Sequence, residues 1–145
     1  MKPINLYLAD DDIDDRELFT DALVEIPLVT ETVQFENGVD LMADLFSDRP
    51  LPQAIYLDLH MPMMDGFECL DDIRSVPEFS GIQIIMYSTS HNEKEIEGLK
   101  SSGADQFLRK PSSFNQLKTL LYQSLKLVAD RSGENNTPEQ FVVLI

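Results

Sequence analysis

Asp58 closes the apolar run Ala54-Ile55-Tyr56-Leu57, and three more polar islands stand in the same place after runs of their own. Asp10-Asp11-Asp12 follows residues 4–9, Ser88 follows Ile84-Ile85-Met86-Tyr87, and Lys110-Pro111 comes just after Phe107-Leu108. Brought together, these groups amount to a set of carboxylates with one hydroxyl and one ammonium. Carboxylates in that number call for a divalent cation, and Mg²⁺ in particular is held through oxygen by one or two of them. A hydroxyl and a lysine alongside suit a phosphoryl group, whose transfer depends on positioning and charge neutralisation more than on covalent help.

Something has to carry those islands to one place. Runs at 4–9, 30–35, 54–57, 82–87 and 105–108 read as strands, and 55–57 and 82–87 are nearly continuous apolar stretches, as expected of strands covered on both faces. Helical spacing fills the gaps. Residues 14–26 place Leu18, Phe19, Ala22, Leu23 and Ile26 on one stripe. A second helix starts at Asn37 or Gly38, carries Val39, Leu41, Met42, Leu45 and Phe46, and is halted by Pro50 and Pro52. Asp65-Gly66 opens a third that Pro77 closes; a fourth, near 92–101, is mostly polar; a fifth spans about 113–129. Strict alternation of strand and helix implies a parallel sheet with right-handed crossovers. In such a sheet the carboxyl ends of the strands line one crevice, so all four islands face it.

With these residues in order, 30 from Asp58 to Ser88 and 22 from Ser88 to Lys110, the chain resembles the receiver domain of two-component response regulators over about residues 4–128. The segment Asp58-Leu59-His60-Met61-Pro62-Met63-Met64-Asp65-Gly66 is similar to that family's D-x-x-M-P-x-M-D-G motif. The resemblance implies a flavodoxin-like, doubly wound α/β fold: a five-stranded parallel sheet of order 2-1-3-4-5 flanked by five helices, with strands one and three adjacent. It implies that Asp58 is the phosphoacceptor, that Asp11, Asp58 and the backbone carbonyl of His60 ligate Mg²⁺, and that Asp10 holds a water on the metal. Lys110 would pair with a phosphoryl oxygen and Ser88 would hydrogen-bond another. Ser88 moves toward the phosphoryl group in the switch while Phe107 turns inward. The Lys110-Pro111 bond is expected to be cis. The implied donor is a phosphohistidine on a sensor or hybrid histidine kinase. The implied readout is contact with a downstream protein, or relay to a histidine phosphotransfer protein. Catalysis beyond the domain's own phosphorylation and dephosphorylation is not expected.

Three alternatives have distinguishing features. A flavin binder should carry a Ser/Thr/Gly-rich loop after the first strand, where three aspartates stand here. An aspartate-nucleophile phosphatase needs D-x-D, and Asp58-Leu59-His60 lacks the second acid. A pseudo-receiver, an interaction module without phosphorylation, would not need the complete set of site residues.

Size and charge narrow the class. At 145 residues the chain is one domain able to bury a single core. A net charge of -15 argues against nucleic acid, which is bound through cationic side chains, and against anionic membranes. No apolar run reaches the roughly 20 residues of a membrane span. The first residues lead straight into a strand with no signal-peptide pattern, so the cytoplasm is the expected compartment. The one cysteine, Cys69, excludes an internal disulfide and reads as a packing thiol. Asp12 reads as a loop bystander, while Asp14 and Asp15 read as acids favoured by a helix N-terminus. His60 would stand at the site mouth and His91 in a plain loop.

The receiver reading covers residues 1–129. Residues 130–145 form an extension: a turn-rich linker and then Phe141-Val142-Val143-Leu144-Ile145. Such a run is adhesive when left in water. It is expected to be covered by the domain's own fifth helix or by a second copy in a homodimer.

Overall fold

The computed structural model describes residues 2–89, 92–131 and 141–145. Its elements are β1 (Ile4–Ala9), α1 (Ile13–Val24), β2 (Thr30–Phe35), α2 (Gly38–Leu45), β3 (Ala54–Asp58) and α3 (Gly66–Arg74). There follow a short 3₁₀ turn (Pro77–Phe79), β4 (Gln83–Ser88), α4 (Glu93–Ser101), β5 (Gln106–Arg109), α5 (Phe114–Arg131) and β6 (Val142–Leu144). The sheet is parallel throughout, in the order β2-β1-β3-β4-β5-β6.

Side chains alternate along each strand, and the alternation sorts the core into two layers. Tyr7, Ala9, Ile55, Leu57, Ile84, Met86 and Phe107 face α2, α3 and α4. Leu6, Leu8, Tyr56, Ile85, Tyr87 and Leu108 face α1 and α5. The helices begin on side-chain caps: Asp12 accepts from the backbone of Asp14 and Asp15, Asn37 from Asp40, and Asn92 from Lys94 and Glu95. Asp65 and Glu68 form a capping box on α3. Gly103, at a φ of 101°, takes the left-handed position that ends α4.

A buried polar lane joins α5 to the middle of the sheet. Ser124 Oγ lies 2.6 Å from Tyr56 Oη and donates to Gln106 Oε1 at 2.7 Å. Gln106 Nε2 donates to the Ser124 carbonyl, and Gln83 Nε2 to the Val128 carbonyl. Strands β3, β4 and β5 thus each hold the helix by a side chain.

Three expectations need correction. The sheet has a sixth strand: the tail pairs with β5 in parallel register, Phe107 opposite Val143 and Leu108 opposite Leu144. Leu144 packs on the α1/α5 layer and Phe141 on the other, so the tail straddles the sheet edge instead of lying on α5. Backbone pairing, with Val142 N–H on the Asp105 carbonyl, decides this placement. The Lys110–Pro111 bond is not cis, and no cis bond occurs among the described residues. The Lys110 N–H prolongs the β4–β5 ladder by donating to the Ser88 carbonyl at 2.9 Å, and the trans form is the intrinsically favoured one for X-Pro. Leu18, Val39 and Phe46 are exposed, because the buried stripes of α1 and α2 are narrower than the spacing suggested.

Candidate phosphoryl and metal site

Parallel register carries the islands to one edge. Ala9 lies opposite Leu57, which puts Asp10 and Asp58 side by side one step beyond; Asp58 in turn faces Tyr87, and Ser88 faces Arg109. Asp10, Asp58 and Ser88 are all buried, whereas Asp11 is exposed. One carboxylate oxygen from each of Asp10, Asp11 and Asp58 lies within 4.8 Å of the other two. These are hard oxygen donors within bridging distance of one another, a set that suits a small divalent cation.

Lys110 closes the cluster. Its Nζ sits 2.8 Å from Asp10 Oδ2, 2.9 Å from Asp15 Oδ2 and 3.5 Å from Asp58 Oδ2, and 5.0 Å from the centre of the Tyr87 ring. Burial works against the ammonium charge, but its hydrogen bonds to Asp10 and Asp15 and the charges of Asp10 and Asp58 outweigh it and raise the lysine above its ordinary range. Asp58 goes the same way for the opposite reason. Burial is the largest influence and Asp10 and Asp11 add to it, so that despite Lys110 and the His60 N–H its carboxyl is pushed up to about 6.

The backbone around Asp58 is held tightly. A Cβ on Gly66 would lie 2.4 Å from the Asp58 carbonyl oxygen, so only glycine lets α3 start against the strand end. Gly66 N–H donates to the Leu59 carbonyl, and Met63 takes a φ of 67° in the turn between. That explains the final glycine of the motif physically. On the far side Arg16, itself buried, donates to the Asp10 carbonyl at 2.7 Å, while Asp10 Oδ1 accepts the Asp12 N–H.

The structure brings together Asp10, Asp11, Asp58 and Lys110, with Ser88 ending the neighbouring strand. The His60 side chain is exposed, and its N–H reaches Asp58 Oδ1 at 3.4 Å. His91 lies outside the described residues. Phe107, three places before Lys110, is buried beside Met86 and Leu99, so its ring is already inward. Cys69 is buried, and burial together with the acids Asp65, Asp72 and Glu68 pushes its thiol up to about 12, which leaves it unreactive. Two readings of the acid loop change. Asp12 is the cap of α1, and Asp15 turns its carboxylate to Lys110. Asp15 shares the α1 stripe of Phe19 and Ala22, four and seven residues on, a phase visible in the sequence.

Residues 6–122 match the family model described as response regulator receiver domain. The chain belongs to that family. Response regulator Rcp1 of Synechocystis sp. is 30% identical to this receiver over 99 residues, covering 65% of the chain and 67% of Rcp1. The sensor histidine kinase CheAY of Helicobacter pylori is 28% identical over 123 residues, 85% of this chain but 15% of that one, so the receiver spans only a fraction of that relative's length. Among solved structures, the phosphorylated cyanobacterial phytochrome response regulator RcpA superposes with a TM-score of 0.83 at 26% identity, covering 91% of this chain and 98% of its own. Rcp1 recurs there in a Mn(2+)-bound form, with a TM-score of 0.73 at 24% identity over 95% of this chain and 99% of that one. The flavodoxin-like topology of the receiver fold is the one found here, with β6 as an addition. No helix among the described residues is long and apolar enough to cross a membrane.

Proposed function

We propose that this receiver accepts a phosphoryl group on Asp58 from a histidine kinase phosphohistidine, in a reaction that depends on Mg²⁺. The observation that carries the reading is a largely buried ammonium, Lys110, paired with Asp10 and Asp58 where these two cluster with Asp11 at the strand ends, and burial that disfavours the ionised form of Asp58. An Asp58 oxygen bonds to phosphorus as the phosphorus–nitrogen bond of the donor breaks, and the electron pair stays with the imidazole. Lys110 neutralises one phosphoryl oxygen, and the Ser88 hydroxyl takes another. Asp11, Asp58 and the His60 carbonyl would hold the cation, with Asp10 reaching it through water; the Mn(2+)-bound relative supports a divalent ion in such a site. When bound, the cation supplies charge neutralisation for the transferring group.

The output on this reading is protein contact: Ser88, moving toward the phosphoryl group beside the inward Phe107, reshapes the surface of α4, β5 and α5, toward a downstream protein or a histidine phosphotransfer protein. We assign the receiver to residues 1–129 and an extension to residues 130–145, and we place the protein in the cytoplasm, where such kinases present their phosphohistidine. The test is treatment with acetyl phosphate and Mg²⁺ followed by mass spectrometry. One phosphoryl group should appear on the Asp58 peptide and be absent in Asp58→Asn or without the cation. No labelling of the wild type would leave an interaction module without phosphorylation as the better reading.

A further inference from the structure

Lys110 has three N–H donors, and their partners are unequal. Asp10 is locked: its Oδ1 takes the Asp12 N–H, its carbonyl takes Arg16, and its side chain is 1% exposed. Asp58 is 9% exposed and stands farthest from the ammonium, at 3.5 Å. Asp15 is different. It sits outside the group of carboxylates close enough to share a cation, its side chain is 32% exposed, and it nevertheless holds Lys110 at 2.9 Å. Neither capping nor charge at the helix terminus requires that direction, because Asp12 already caps α1 and takes the Asp15 N–H itself.

We infer that Asp15 is a positioning residue that holds the Lys110 ammonium off Asp58 and yields it when a phosphoryl group arrives. The inference rests on Asp58 being the phosphoacceptor. A phosphoryl group on Asp58 brings new anionic oxygens that need one of the three N–H donors. Asp10 cannot release Lys110 without leaving a buried carboxylate oxygen unpaired, which is costly. Asp15 can, because water reaches its carboxylate and replaces the lost bond. Before phosphorylation the same contact keeps Lys110 from closing on Asp58 beyond the 3.5 Å now between them, which leaves that carboxylate able to hold a divalent cation. Removing the Asp15 charge therefore has two opposite effects: the ammonium moves toward Asp58, where it competes with a cation but clamps a phosphoryl group.

The experiment measures Mg²⁺ alone by calorimetric titration, and then beryllofluoride, a phosphoryl stand-in, at saturating Mg²⁺, on wild type, Asp15→Asn and Asp15→Glu. A partly hydrated ion pair is worth about twofold to fivefold in an equilibrium constant. Asp15→Asn should bind Mg²⁺ about twofold to fivefold more weakly and beryllofluoride tighter by a similar factor. Asp15→Glu should restore both toward wild type. A purely structural role for Asp15 would weaken both ligands together, and that result overturns the inference, as does an Asp15→Asn protein indistinguishable from wild type. Wild type that binds Mg²⁺ but takes neither beryllofluoride nor acetyl phosphate overturns the phosphoacceptor reading, and the Asp15 role with it. Should Asp15→Asn fold poorly by circular dichroism, Asp15→Glu alone still decides: the inference requires it to keep both affinities near wild type.

Discussion

Asp58→Asn should make the cation-free protein more stable, and by an amount that depends on pH in a defined way. The Asp58 carboxyl titrates at about 6 in the fold against an ordinary 3.8, because burial and the neighbouring acids disfavour its charge. A difference of that size corresponds to about 3 kcal/mol of preference for the neutral form. The folded-state value is raised, so the stabilising contribution is fully present below about pH 4 and is lost as pH rises through about 6. Asparagine has nearly the same shape and never ionises. The stability gap between Asp58→Asn and wild type should therefore be small near pH 4 and approach about 3 kcal/mol by pH 7.5. For a domain of this length that is a rise in melting temperature of about 6 to 12 °C. Lys110 keeps Asp10 and Asp15 in the variant, so no cation is stranded. Urea melts of both proteins in chelator at several pH values measure the gap directly. If the two stability curves run parallel from pH 4 to 8, the acid crowding at Asp58 is not what burial and charge imply.

Other perturbations reach different parts of the structure. Mg²⁺ should raise the melting temperature of wild type, since a ligand of the native state alone stabilises it, and the rise should vanish in Asp11→Ala; thermal melts with and without the ion check both. Ser124→Ala should cost about 1–3 kcal/mol in urea unfolding, because the Tyr56 hydroxyl and the Gln106 side-chain carbonyl lose a buried partner at once. Deleting residues 141–145 should lower stability by about 2 kcal/mol through the half-buried Phe141 and Leu144, while light scattering should show an unchanged oligomeric state and Asp58 labelling should be unchanged.

Much of this site could be read from residue order, because a buried parallel strand is apolar along its length and stops at the first polar group. Asp58, Ser88 and Lys110 mark such stops, and each lies within a residue or two of the observed strand end. What escaped has a common cause: it depends on partners distant in sequence. The direction of Asp15 is set by Lys110, 95 residues away. Its phase with Phe19 and Ala22 was a usable clue, outweighed by the general preference for acids at a helix start. The Lys110–Pro111 geometry turns on a difference of about 1 kcal/mol, too small for the dipeptide alone to settle. The tail reads as adhesive from its five apolar residues, but nothing in them selects the β5 edge over the α5 surface.

The polar lane under α5 has a consequence for where this receiver can yield. Hydrogen bonds tolerate only a few tenths of an ångström, whereas a helix moves past its neighbour in steps of 1.5 Å per residue. With one side chain from each of β3, β4 and β5 fastened to it, α5 can neither creep nor roll without breaking several bonds at once. Helix α4 is packed more thinly: Leu99 is its one buried residue, and Glu93 and Lys94 at its start are exposed. Local opening should therefore be strongly uneven across the two helices that flank β5. Amide hydrogens of α4 should exchange with solvent through small, frequent openings, while those in the middle of α5 exchange only when the whole domain unfolds.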